Sequence, residues 1–287
     1  MRWIYTLLIV AMLSVVMGVE SCPMPSGIGG GGGGQAAKSG LDFSLVSGVG
    51  YFTQGMQLDQ GDTFKVVLKI ENYDKTPKSG TVCAKDDKED VYGGVSEDCS
   101  QFYVREADYS QDKFVKSSFT EVYFPSGGEY KYHDVPIAQP SKIFVTLDYV
   151  QHSIAQGSAS VPEPATEKIN VVQTAAPVSI SVDKTVSKQE NQYKATIGIT
   201  LSKQADGNLK LLTEDLKEEN RVKFALKMSS YTFDCTQGII NMESTKFIKC
   251  SALLPVEQIS YPLLIYLDYG VRITKSFDFT IKAKEAA

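Results

Sequence analysis

The sequence predicts an all-β protein of two tandem β-sandwiches carried behind an exported, flexible N-terminal segment, and three observations lead there. First, apolar and polar residues alternate through Phe64, Val66, Leu68 and Ile70, and again through Tyr193, Ala195, Ile197, Ile199 and Leu201. A period of two places successive side chains on opposite faces of a strand. Second, Leu147-Asp148-Tyr149 recurs 120 residues later as Leu267-Asp268-Tyr269. Each copy passes through a few polar residues into a further alternating run, reaching Val161 and Ile281. Such a pair, repeated at domain-sized spacing, predicts the closing hairpin of each of two repeats. Third, 15 Tyr and 13 Phe beside a single Trp lean toward strands.

Length and charge bound the function. The 287 residues have room for two domains, each with its own core, of roughly 100–130 residues. A formal net charge of −5 with no Lys/Arg cluster argues against a nucleic-acid partner, which requires a basic face. The chain has no Gly-x-Ser-x-Gly, His-Glu-x-x-His or nucleotide fingerprint. Its two histidines, His133 and His152, lack the Cys or carboxylate spacing of a metal site or a triad. The expectation is a protein that is not an enzyme and carries no catalytic residues.

The N-terminus gives the location. Met1-Arg2 is a short positive start, and Trp3–Val19 is apolar apart from Thr6, Ser14 and Gly18. A run of about 16 residues suits a signal peptide (1–21) better than a membrane span, which needs roughly 20, with an uncleaved anchor as the alternative. Val19-Glu20-Ser21-Cys22 resembles the lipobox of prokaryotic lipoproteins, although Glu20 stands where that pattern has a small residue. The resemblance implies that Cys22 carries a lipid. Of five Cys in an exported chain, removing Cys22 leaves four that pair, whereas an unpaired thiol is the other possibility. From Cys22 to Gly40 the segment holds six consecutive glycines, Gly29–Gly34, and behaves as a flexible tether spanning roughly 25 Å.

The first sandwich is expected over 41–165. Gly61–Gly80, GDTFKVVLKIENYDKTPKSG, resembles the opening strands of archaeal and bacterial immunoglobulin-like surface modules of the CARDB type. That resemblance implies an immunoglobulin-like sandwich of seven strands used as a spacer or binding module. Cys83 and Cys99, 16 apart, are expected to staple the intervening loop, contributing about 3 kcal/mol. Within that loop Asp86, Asp87, Glu89 and Asp90 form a candidate calcium site, against the alternative of a solvated acidic loop, since the EF-hand register is absent. No other cofactor is expected. Aromatics are dense between Phe102 and Tyr132. Of these Tyr109, Tyr123, Tyr130 and Tyr132 are candidate partner-binding residues, the alternative being that they pack a core.

Val161-Pro162-Glu163-Pro164 marks the boundary, and 166–177 is a linker or the last strand of the first domain. The second immunoglobulin-like sandwich follows over 178–287. Leu209–Glu219 reads as a strand and then a loop or short helix. Cys235 and Cys250, 15 apart, are expected to form a second staple. Together these features predict a membrane-anchored surface protein, held by its lipid or N-terminal anchor. It would present two sandwiches to a cell-surface protein or glycan. Self-assembly into a filament or envelope layer by strand exchange is the alternative, and ligand capture a second one.

Overall fold

A computed structural model describes residues 40–111, 113–162, 164–174, 176–203, 208–228, 233, 235, 238–255 and 259–283. The readings placed on residues 1–39 (signal peptide, lipid on Cys22, glycine tether) lie outside them. The described residues are all-β, apart from one helical turn. In order it runs β1 (Leu41–Leu45), β2 (Gln57–Asp59), β3 (Thr63–Phe64), β4 (Val66–Asn72), β5 (Lys78–Asp86), α1 (Glu89–Tyr92), β6 (Asp98–Val104), β7 (Asp108–Ser110), β8 (Lys113–Lys116), β9 (Ser118–Phe124) and β10 (Tyr130–Lys131). It continues with β11 (Gln139–Val161), β12 (Thr166–Ile169), β13 (Val172–Gln173), β14 (Val178–Gln189), β15 (Gln192–Lys203), β16 (Leu209–Leu212), β17 (Arg221–Met228), β18 (Gly238–Asn241), β19 (Lys246–Pro255) and β20 (Ile259–Lys282).

β11 and β20 dominate the architecture. They are 23 and 24 residues long and pair antiparallel from Gln139 opposite Ile281 to Val161 opposite Ile259. This corrects the hairpin expectation: each Leu-Asp-Tyr segment is the middle of one unbroken strand. The polar residues that follow Tyr149 keep the period of two and make no turn. Gln151 and Ser153 take inward positions and are buried, with the Ser153 hydroxyl 3.3 Å from that of Tyr269.

Flanking strands extend this pair into a nine-stranded sheet with the path β18-β17-β20-β11-β5-β6. Odd-numbered residues of both long strands point to one face, where Ile143, Val145, Leu147 and Tyr149 meet Leu267, Tyr269 and Val271 in a single core. Two smaller sheets supply the rest of that core, β1-β4-β9 from the first half and β12-β14-β15-β19 from the second. The described residues therefore fall within one compact unit.

The register contains a local twofold centred where Val150 faces Gly270. Asp148 is opposite Arg272 and bonds it bidentately at 2.7 and 2.6 Å, and the matching pair, Asp268 and His152, meets at 2.7 Å. The flanking strands obey the same relation. β5 pairs β11 from Ile143 to Tyr149, and β17 pairs β20 from Leu263 to Asp268. The two tyrosines of the repeat, Tyr149 and Tyr269, are both fully enclosed in the core. Burial pushes both phenols above their ordinary range.

Cys83 and Cys99 form a disulfide between directly facing positions of β5 and β6, Cα atoms 4.1 Å apart. The bond fastens the outermost strand of the large sheet and closes the connection that holds α1. Cys250 is buried on β19, and Cys235 is partly buried against the same core. Leu209–Leu212 is a strand followed by a loop, and no helix forms there.

Because the C-terminal half of β20 lies against β11 beneath the first small sheet, Phe277, Phe279 and Ile281 belong to the first half's core. Phe279 packs against Phe52 and Tyr132, with ring centroids at 5.2 and 5.7 Å. Each such side chain contributes about 1.5–3 kcal/mol of burial. Truncation after Gly270 is therefore expected to abolish cooperative unfolding of the first half. Near-UV circular dichroism and urea titration check this, since self-sufficient sandwiches would leave the first half intact.

Candidate contact site

The acidic connection between β5 and β6 uses its carboxylates as structural pins. Asp86 is buried and accepts hydrogen bonds from the Tyr132 hydroxyl (2.6 Å), the Val95 amide (2.8 Å) and the Lys88 amide (2.6 Å). Burial pushes its carboxyl up, against the opposing pull of these donors. Asp87 accepts from the Ser141 hydroxyl (2.6 Å) and the Lys142 amide (3.0 Å), which docks the connection on β11. Glu89 pairs with Lys85 at 2.7 Å and accepts from the Glu97 amide, whereas Asp90 is exposed. The calcium expectation is corrected: these four carboxylates serve separate partners. Among the described residues no three metal-ligating side chains converge.

Two of the four candidate tyrosines are also corrected. Tyr132 is 1% exposed, stacks on Phe64 at 5.6 Å and donates to Asp86, while Tyr130 is buried and donates to Asp98 at 2.9 Å. Both point inward: Tyr130 lies opposite Phe64 where β10 pairs with β3, and Tyr132, two residues on, bridges to Gly93. Tyr109 is half-buried. Its hydroxyl donates to the Tyr73 carbonyl at 2.7 Å, and its ring meets Phe114 edge-on. Tyr123 alone of the four is exposed, with its hydroxyl on Glu121 at 2.7 Å and its ring edge-on to Tyr51.

The structure gathers a different set of residues at the open edge of the first half. β6 pairs only with β5 and β9 only with β4 among the described residues, and the two end strands run beside each other on opposite layers. Between them lies a shallow groove of about 340 Å³, lined by the aromatics Tyr103 and Phe119, the charged Arg105, Asp108 and Lys116, and the hydroxyl-bearing run Ser117, Ser118 and Thr120. Phe119 is 52% exposed, and Phe114 and Val115 on β8 add further exposed apolar surface.

Buried polar contacts hold this groove open. The Asn72 amide donates to the Arg105 carbonyl (2.8 Å) and the Thr76 carbonyl (2.8 Å), fixing the chain as it leaves β6. Asp74 accepts from the Gly40 amide and pairs with buried Lys78 at 3.1 Å. On the outer face of β4, Lys69 bonds Glu71 at 2.9 Å while lying 4.7 Å from the centre of the Phe119 ring. Partial burial works to raise the Glu71 carboxyl, but Lys69, Ser117 and Tyr73 together hold it below its usual range. The groove brings together strand edges that have no neighbour among the described residues, aromatic faces, two cations and the Asp108 carboxylate.

Phe119, Tyr103, Arg105 and Lys116 were not singled out by the sequence. The available signal was the alternation Phe119-Glu121-Tyr123, which sets two aromatics and one acid on one face of β9. Neither the models of known protein families nor the curated protein sequences match this chain.

Asp86→Ala leaves three donors without an acceptor and is expected to cost about 3 kcal/mol or more in urea unfolding. Asp90→Ala should leave the midpoint unchanged. Addition of millimolar calcium is expected to shift the thermal midpoint of neither variant nor the parent chain.

Proposed function

We propose that this chain is an exported, membrane-tethered structural protein without enzymatic activity. In this reading it presents tandem immunoglobulin-like sandwiches, fused through their two long strands, at the cell surface. It makes contact by strand addition at the open edge of its first half. The observation that carries the reading is the groove between β6 and β9, where exposed aromatics flank strand edges that have no neighbour among the described residues. An extended polypeptide laid along β9 gains main-chain hydrogen bonds, and its alternate side chains meet Phe119 and Tyr123. Exposed apolar edge strands are uncommon in proteins that avoid contact, because they template pairing.

The sequence supplies the support for location: an apolar leader, the lipobox-like Val19–Cys22 and the glycine tether. The facing Cys83–Cys99 disulfide is in keeping with an oxidising compartment. Lipid on Cys22 would hold the protein at a membrane while the tether leaves the edge free to meet a partner. Non-enzymatic presentation of a surface needs no cofactor.

Two measurements test this. Random peptides selected on the folded protein are expected to be extended and aromatic, and to protect the amides of Phe119–Phe124 from hydrogen exchange. Selected peptides that protect other regions would overturn the edge as the contact surface. Mass spectrometry of the mature chain is expected to find acylated Cys22 as its first residue, and retention of residues 1–21 would remove the lipid anchor.

A further inference from the structure

The second half carries its own open edge. β19 is the last strand of its sheet and pairs only with β15 among the described residues. Its outward positions are Phe247, Lys249, Ser251 and Leu253, of which Phe247 is 62% and Leu253 51% exposed. The corresponding edge of the first half is β9, whose outward positions are Phe119, Glu121 and Tyr123. Both are end strands of small sheets that cover the same face of the large sheet. The twofold at Val150 and Gly270 relates the halves they belong to.

That symmetry sets the geometry of the two edges. A twofold perpendicular to the large sheet turns one edge to face away from the other and reverses its strand direction. When a second copy is placed by simple displacement, its β19 arrives beside the β9 of the first, antiparallel and with outward faces on the same side. Placing Glu121 opposite Lys249 then puts Tyr123 opposite Phe247 and Phe119 opposite Ser251. On the inward face Val122 meets Ile248. An opposite-charge pair beside an aromatic pair is what stabilises neighbouring strands. Lys69 faces Glu121 from within the same sheet, but its ammonium is engaged by Glu71, and the Glu121 carboxylate accepts only a tyrosine hydroxyl among the described contacts.

We infer that the polypeptide received by the β9 edge is the β19 edge of a second copy of this chain. This inference rests on the edge being the contact surface, and adds which partner fits it. The contact is head to tail, so each added copy leaves a fresh β9 edge at one end and a fresh β19 edge at the other. Such an interface does not close, and it propagates as a stepped linear array. The register makes both edges necessary.

The test uses the full mature chain in detergent, read by sedimentation velocity and negative-stain microscopy. The parent is expected to self-associate with rising concentration into linear assemblies. Glu121→Lys and Lys249→Glu should each weaken association about tenfold or more, because like charges then face each other. An equimolar mixture of the two variants should restore it, since copies of the two kinds in alternation bring opposite charges together at every junction. Unchanged thermal midpoints show that each variant is folded. A parent that stays monomeric at every concentration overturns the self-partner inference, while the peptide-protection experiment still decides the edge itself. Association that neither charge reversal weakens, or that the mixture fails to restore, overturns the proposed register.

Discussion

The antiparallel ladder between β11 and β20 is the constraint on which the rest of the molecule depends. Over more than twenty residue pairs it keeps one parity inward, so that a single face of the large sheet must be covered along its whole length. A slip of one residue would exchange Ile143, Val145 and Leu147 for Lys142, Phe144 and Thr146 on the core face. The bidentate Asp148–Arg272 pair and the His152–Asp268 pair sit on the outer face at matching distances from the centre. They reinforce a register that burial has already set.

Shared strands bind the fate of one half to the other. Each long strand begins in its own half and ends under the other half's small sheet, so neither core is complete without the partner's strand. Lys184 shows how tightly the second half is tied in. Fully buried on β14, it reaches Glu167 on β12 at 3.0 Å and the carbonyl of Ser160 near the end of β11. A buried ammonium left without those acceptors would be costly, so this three-way contact locks the small sheet to the ladder. The same closure in the middle leaves β6, β9, β18 and β19 at the margins. The open edges are thus a consequence of where the long strands lie.

Part of the candidate site was legible in the sequence and part was not. The density of aromatics from Phe102 to Tyr132 spans the segment that holds Tyr103 and Phe119, and the alternation on β9 was visible as Phe119-Glu121-Tyr123. What alternation cannot say is which parity faces the core, because Tyr130 and Tyr132 carry the same residue type as Tyr123 and face the opposite way. The acidic loop shows the same limit. Asp86 and Asp90 are chemically equivalent in the sequence, yet one is buried beneath Tyr132 and the other is in water. Arg105 and Lys116 join one groove only because β6 and β9, distant in sequence, end up beside each other on two layers.

The sequence by itself determined the all-β class, alternating strands such as β4 and β15, the internal repeat and the pairing of Cys83 with Cys99. All of these depend on local period, on self-similarity at fixed spacing and on short separation along the chain. Only the tertiary structure decided that the repeated Leu-Asp-Tyr segments run straight through, and that they pair with each other. A polar stretch such as Gln151–Ser153 is compatible locally with either a turn or a buried strand. The choice is made by the partner strand, which supplies Tyr269 to Ser153 and Asp268 to His152 from more than a hundred residues away.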